Sequence, residues 1–199
     1  EMFKTKKFFV VFTQIASGVG FGLVALSLQL PHFFACSIAL LAVIAFSGAT
    51  HDIATDGVYM TELSKSDQAK YIGWQGAFYN IAKIVASGGL VYLAGWLVKR
   101  FGGVEGASGE VVYEANVHAW MIVMFVMAIV MISLGLYHTR MLPSGGAATS
   151  EATSFKETFD KLVEVILDFF KKKHIWYYIA FIILYRFAEG FVMKIVPLF

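Results

Sequence analysis

The chain has 199 residues and a formal net charge of +2; 58% of its residues are hydrophobic, 16% aromatic and only 15% charged. With a mean hydropathy of +0.69, this composition excludes an ordinary water-soluble core. The small net charge argues against a nucleic-acid surface, and the single cysteine, Cys36, excludes a disulfide framework or a cysteine metal cluster within one chain.

A membrane-crossing helix needs about 20 mostly apolar residues. Five such runs follow one another. The first covers 8–30 and is preceded by Lys4, Lys6 and Lys7. A secretory signal peptide is the rival reading, but its apolar region spans only about 7–15 residues and ends in a small-residue cleavage pattern, which is absent here. Pro31 marks the turn into the second run, 32–60, whose last third carries Thr50, His51, Asp52, Thr55 and Asp56. The third covers 71–98, the fourth 119–137 and the fifth 174–199. The expected organisation is therefore an all-α integral membrane protein: four spans within 1–137, a linker over 138–173, and one further span at 174–199.

Lys and Arg are retained on the cytoplasmic side of a membrane, so their distribution sets the expected orientation. Lys4, Lys6, Lys7, Lys65, Lys70, Arg140, Lys156, Lys161 and Lys171 to Lys173 fall on one side, against Lys99 and Arg100 on the other. The chain's start, the 61–70 loop and the linker are thus expected in the cytoplasm, the glycine-rich loop 101–118 outside, and the protein as a whole in the inner, cytoplasmic membrane.

The linker opens with a flexible Pro, Ser, Gly, Ala and Thr run, 143–153, and continues as an amphipathic helix over 154–171. Ser154 and Glu157 form a capping-box pattern before Phe155, Phe159, Leu162, Val163, Ile166 and Phe170 at helical spacing. Its apolar face suits either the membrane surface, with Lys171 to Lys173 meeting anionic lipid, or packing on protein.

Ionisable residues at membrane depth are costly and usually face a bundle interior or a water-filled path. Asp52 and Asp56 stand four apart on one helical face, at depths of about 15 Å and about 9 Å if the span ends near Glu62. Lys83, counted from Tyr71, lies about 18 Å deep, and an Asp52–Lys83 ion pair, shared with Asp56, is expected. The fifth span adds Arg186 and Glu189 three apart, and Lys194 deeper still. These neutralise one another or line a solute or proton path. Gly18, Gly20 and Gly22 in the first span, and Ala82, Ala86, Ser87, Gly88 and Gly89 in the third, permit close helix approach.

The stretch Thr50 to Gly57, T-H-D-I-A-T-D-G, resembles the S-Q-D-I-x-x-D-A segment of AmpG-type muropeptide permeases in the major facilitator superfamily. Lys6, Lys7, Phe12, Thr13 and Gln14 are similar to the basic pair and Leu-Thr-Gln that open that family's third helix. Tyr79 to Gly89 is similar to its fifth helix, with its Tyr-Arg step followed by Ser-Gly-Gly. The resemblance covers most of residues 6–98. It implies that the spans are helices three to seven of a twelve-helix bundle with a cytoplasmic linker helix. Two departures stand out: His51 where the permeases commonly have Gln, and Asn80 in place of the arginine, with Lys83 the nearest cation. The chain does not open with Met and is expected to be a fragment, unable to transport without the parent protein's missing helices.

The resemblance implies proton-coupled transport of a muropeptide or another sugar- or peptide-containing anion by alternating access. Asp52 or Asp56 would take the proton, with His51 modulating it or acting structurally, and the solute would sit near Lys83 and Arg186. No cofactor is expected, and the partners are solute, protons and the lipid bilayer. Two other classes stay open: a non-transporting membrane subunit or receptor, and a membrane-embedded enzyme using His51, Asp52 and Asp56. Against the enzyme, those three are a sparse ligand set, and His32, His118, His138 and His174 fall at span ends.

Overall fold

The chain is all-α over the residues that the computed structural model describes, 5–146 and 155–195. Ser154 of the expected capping box, most of the expected flexible run, and the side chains of Glu157 and Lys194 lie outside the described residues. Five helices are long and apolar enough to cross a membrane: Lys6–Ser27, Phe33–Glu62, Lys65–Arg100, Gly109–Met141 and Ile175–Val192. This is the architecture of a membrane-spanning protein, because in lipid a helix satisfies every backbone polar group within its own segment. In chain order they contain α1 (Lys6–Ser27), α2 (Phe33–Glu62), α3 (Lys65–Ile84) with a π-helical turn over Val85–Leu90 and then α4 (Val91–Arg100), α5 (Gly109–Met141), and α7 (Ile175–Ile195). The amphipathic helix α6 (Phe155–Lys171) precedes α7. Residues 1–149 and 150–199 form two separate compact units.

The turns are shorter than the composition of the loops suggests. The 61–70 segment contracts to Leu63 and Ser64, because the Ser64 hydroxyl accepts from the Asp67 backbone N–H at 3.2 Å and caps α3. Ser108 does the same for α5, accepting from Val111 N–H at 3.4 Å, so the expected outer loop ends there and the helix begins well before Ala119. At its other end α5 continues to Met141. His138 is therefore inside a helix rather than in the linker.

In the first unit α1 is the central element, packed on α2 along one side and on α5 along the other. Its buried face consists of Val10, Thr13, Gln14, Ser17, Gly18, Gly20, Val24, Ala25 and Ser27, while Phe12, Val19, Leu23 and Leu26 are exposed. The large apolar side chains thus point away from the bundle and the small and polar ones into it. Between helices in lipid, close van der Waals packing and hydrogen bonds take over the role that hydrophobic burial plays in water. A Cβ added at Gly18 would lie 3.0 Å from the Ala128 carbonyl and 3.1 Å from the Ile132 nitrogen, both backbone atoms of α5. From the facing side, a Cβ on Gly135 would lie 2.9 Å from Ile15 Cγ1. Thr13 and Ser27 return their hydroxyls to carbonyls of their own helix, and Ser27 also meets Ser37 of α2 at 3.0 Å.

At the basic end, the segment after α5 ties the three helices together. Lys6 Nζ donates to Thr61 Oγ1 at 2.6 Å, the Lys7 backbone N–H to the Ser144 carbonyl at 3.2 Å, and the Gly145 N–H to Glu62 Oε1 at 2.8 Å. Gly145 adopts φ +69°, and a Cβ there would come within 2.6 Å of Val58 Cγ2, so both conformation and space select glycine.

The third long helix behaves differently along its length. α4 packs on α5 and buries Ala94 and Leu97, whereas α3 has no buried residue. The π turn separates the two halves, and within it the Ser87 hydroxyl donates to the Lys83 carbonyl at 2.6 Å.

In the second unit, α6 places Phe159, Val163, Ile166 and Phe170 on one face, with Asp160, Glu164, Asp168 and Lys171 turned away from it. It ends at Lys171, His174 takes φ +62°, and α7 starts at Ile175. The Phe170 and Trp176 rings stand 5.5 Å apart across this turn.

The α1–α5 seam gives a direct test. Gly18→Val should destabilise the bundle by about 1–3 kcal/mol through forced separation of two backbones, read as a lowered melting temperature in detergent or nanodiscs. Gly22→Ala, whose new methyl would sit 3.9 Å from Ala128 Cβ, should leave the melting temperature within error.

Candidate functional site

The α2 segment from Thr50 to Asp56 carries two different polar sets, because adjacent residues on a helix diverge by about 100°. Asp52 and Asp56 are exposed, on a side that no helix of the first unit covers. Asp52 has 85% of its side-chain surface free, and His51 only 25%. His51, Thr55 and Val58 form the stripe turned inward, and Val58 is buried. His51 Nδ1 and Asp52 Oδ1 stand 3.7 Å apart, a link between the two stripes.

On the inward stripe, His51 Nε2 and Thr55 Oγ1 are buried with no hydrogen-bond partner among the described residues. Three cross-links set the antiparallel register of α1 and α2: Lys6 to Gly57, Gly20 against Ile44, and Ser27 to Ser37. That register puts Gln14 level with residues 49–50, beside His51. On the other flank of α1, His138 Nδ1 meets Gln14 Oε1 at 2.8 Å, although 124 positions separate them in sequence. His51, Gln14 and His138 thus lie at one level of α1, α2 and α5. Gln14 is 5% exposed.

The structure does not bring Asp52 and Lys83 together: the described residues contain no ion pair between them, and Lys83 Nζ instead lies 5.6 Å from the centre of the Tyr79 ring. The reason is the short Leu63–Ser64 turn. Counting depth from Tyr71 assumed a loop up to Lys70, whereas the helix begins at Lys65, which carries Lys83 about 9 Å deeper along the axis. The Tyr59 hydroxyl donates to the Gln68 carbonyl at 2.6 Å and fixes this hairpin's register, in which Asp52 is level with Gln75 and Lys83 with Ile44. In addition α3 stands away from α2, so Gln75, Tyr79, Asn80 and Lys83 are all exposed.

In the second unit, Arg186 Nη1 donates to Glu189 Oε2 at 2.9 Å, an ion pair one turn apart on α7 with both groups partly exposed. An open groove of about 500 Å³ lies between α1 and α2 near the basic end, lined by Lys6, Phe9, Thr50, Ile53, Gly57 and Thr61 among others. It includes neither Asp52 nor Asp56. No group of three or more His, Cys, Asp or Glu side chains able to hold a metal occurs among the described residues.

Two site residues, Gln14 and His138, carry a sequence signal too weak to pair them. Gln14 is an amide in the middle of the first apolar run, and His138 adjoins the fourth, but nothing in the linear pattern joins α1 to α5 at that level.

The fold and these polar sets define a polytopic α-helical membrane protein with ionisable groups inside its spans. No family model, no curated protein and no solved structure matches the chain.

The separation of Asp52 from Lys83 is measurable. Exchanging the charges, Asp52→Lys with Lys83→Asp, should give no rescue over the single variants, with a coupling below about 0.5 kcal/mol in a thermal double-mutant cycle. A coupling above about 1 kcal/mol would show that the pair forms.

Proposed function

We propose that this protein is a secondary active transporter of the major facilitator type, resembling the AmpG-type permeases, that moves a muropeptide or another sugar- or peptide-containing anion with protons. The observation that carries the reading is the placement of Asp52 and Asp56, two exposed carboxylates one turn apart within an apolar spanning helix, on a face that no helix of the first unit covers. Charge in such a position is expensive in lipid and is kept where a water-accessible path or a solute neutralises it. A static bundle would sooner turn these groups toward a cation or lose them.

In this reading the spans correspond to helices three to seven of a twelve-helix bundle, the basic end faces the cytoplasm, and the membrane is the inner one. Asp52 or Asp56 takes the transported proton. Arg186 is held by Glu189 on its own helix, so the attraction for an anionic solute falls to Lys83, whose ammonium is exposed at the midpoint of the helix Lys65–Arg100. The π turn beginning at Val85 supports this assignment, since such turns concentrate at functional sites, and here it separates a docked half-helix from an undocked one.

The deciding experiment is uptake of an anhydro-muropeptide, driven by a pH gradient, into vesicles containing the full-length protein. Uptake should appear with the gradient and fall at least about tenfold in Asp52→Asn or Asp56→Asn, the loss expected when an essential proton acceptor is removed. Uptake that both variants leave unchanged overturns the proton assignment. Absence of uptake of this and other sugar- or peptide-containing anions by folded protein overturns transport itself.

A further inference from the structure

The amphipathic helix before the fifth span has no part in the transport reading. We propose that α6 is an interfacial anchor: it lies along the membrane surface beside the entry of α7, with Phe159, Val163, Ile166 and Phe170 immersed among acyl chains and Lys172 and Lys173 on the headgroups of anionic lipid.

The turn between the two helices supports it first. Three residues, 172–174, separate the end of α6 at Lys171 from the start of α7 at Ile175. Hydrogen bonds fix them: the Ile175 N–H donates to the Lys172 carbonyl at 3.1 Å, and the His174 carbonyl accepts from the N–H groups of Tyr177 and Tyr178 at 3.0 and 3.3 Å. His174, at φ +62°, breaks the helix direction. In a continuous helix, residues six apart would stand about 9 Å apart along the axis and about 120° apart around it, yet the Phe170 and Trp176 rings meet at 5.5 Å. α6 therefore leaves α7 at an angle, and beyond the turn the two helices do not pack on each other.

The start of α7 sets the level of that turn. Trp176, Tyr177 and Tyr178 are all exposed at the head of an apolar span, and such rings concentrate at the boundary between hydrocarbon and water. The ring that Trp176 meets is Phe170, on the apolar face of α6, so that face begins at the boundary itself.

From there the helix neither crosses the bilayer nor gains by leaving it. Its 17 residues cover about 25 Å, short of a hydrocarbon layer of about 30 Å, and Asp160, Glu164 and Asp168 recur at one-turn spacing away from the apolar face. Crossing would bury three carboxylates, whereas lying flat keeps them in water and gives Phe159, Val163 and Ile166, all exposed, an apolar neighbour. Charge at the turn selects the lipid. Lys171 is engaged by Asp168 at 3.2 Å, the Lys172 ammonium stands 5.8 Å from the centre of the Phe169 ring, and Lys173 follows it. Cations held beside apolar rings at this level match anionic headgroups.

The test places a nitroxide on full-length protein in lipid nanodiscs, in a Cys36→Ala background, through Val163→Cys, Ile166→Cys or Glu164→Cys. Paramagnetic resonance then reads contact with oxygen, which concentrates in lipid, and with a water-soluble nickel complex. In phosphatidylcholine mixed with phosphatidylglycerol, the labels at 163 and 166 should meet oxygen several-fold more than nickel, and the label at 164 the reverse. In phosphatidylcholine alone that oxygen excess should shrink, and Lys172→Gln with Lys173→Gln should remove the difference between the two lipids. Labels at 163 and 166 shut off from both reagents would show that protein covers the face and would overturn the proposal. Nickel contact at all three positions would overturn it equally, and an oxygen excess indifferent to lipid charge would overturn the assignment to anionic headgroups. The three label positions are exposed, and the readout needs no transport, so a failure of uptake leaves it standing.

Discussion

Everything in the first unit depends on the narrow, polar face of α1. In water this helix would turn Phe12, Leu23 and Leu26 inward; here they are exposed, and Thr13, Gln14, Ser17 and Gly18 are buried. The inversion follows from the solvent. Lipid offers no hydrophobic reason for two helices to meet, so contact must come from surfaces that fit closely or exchange hydrogen bonds. Gly18 and Gly135 supply the first by letting backbones approach, and Gln14 with His138, and Ser27 with Ser37, supply the second. Because α1 presents small residues on both flanks, one helix organises two neighbours, and α2 and α5 reach the same polar level without packing extensively on each other.

That arrangement also fixes what α2 can offer elsewhere. With His51, Thr55 and Val58 turned inward, the next stripe of the helix is Asp52 and Asp56, and it is exposed. The rotation is held at the basic end, where Lys6 binds Thr61 and Glu62 accepts from Gly145. Turning α2 by about 100° to bury the carboxylates would break both bonds and press Ile44 out of the space left by Gly20. The exposed carboxylates are thus a consequence of the same packing that turns His51 inward and buries its Nε2.

Much of this was legible in the residues alone. Five spans follow from run length, since the bilayer demands about 20 apolar residues whatever the fold. The amphipathic segment before the fifth span follows from the spacing of Phe159, Val163, Ile166 and Phe170. Helix ends were less legible, because polar loop composition concealed two serine caps, Ser64 and Ser108, that extend the helices into apparent loops. The error at Ser64 then propagated: moving a helix start by six residues shifts every depth counted from it, and this is why Asp52 and Lys83 looked level. The union of Gln14 with His138 was not legible, as it joins residues 124 apart across a contact that periodicity does not encode.

The helix Lys65–Arg100 shows how far local rules carry before packing must decide. Ser64 caps its start, Asp67 sits in its first turn where the helix dipole favours an anion, and Lys99 and Arg100 sit in its last, so its ends agree with its own electrostatics. Nothing local explains why α4 packs on α5 while α3, equally regular, meets α2 only near their shared turn and buries no residue. The difference lies in side-chain size. α4 turns Ala94 and Leu97 to its neighbour, whereas α3 carries Tyr71, Trp74, Phe78 and Tyr79 around its surface, too bulky for close approach to α2. The change from one regime to the other falls at Val85–Leu90, where Ser87, Gly88 and Gly89 replace large side chains and the backbone widens into a π turn. Small residues close a seam between α1 and α5; in a helix with no neighbour at that level they loosen the helix itself, and Lys83 stands immediately before the loosened turn.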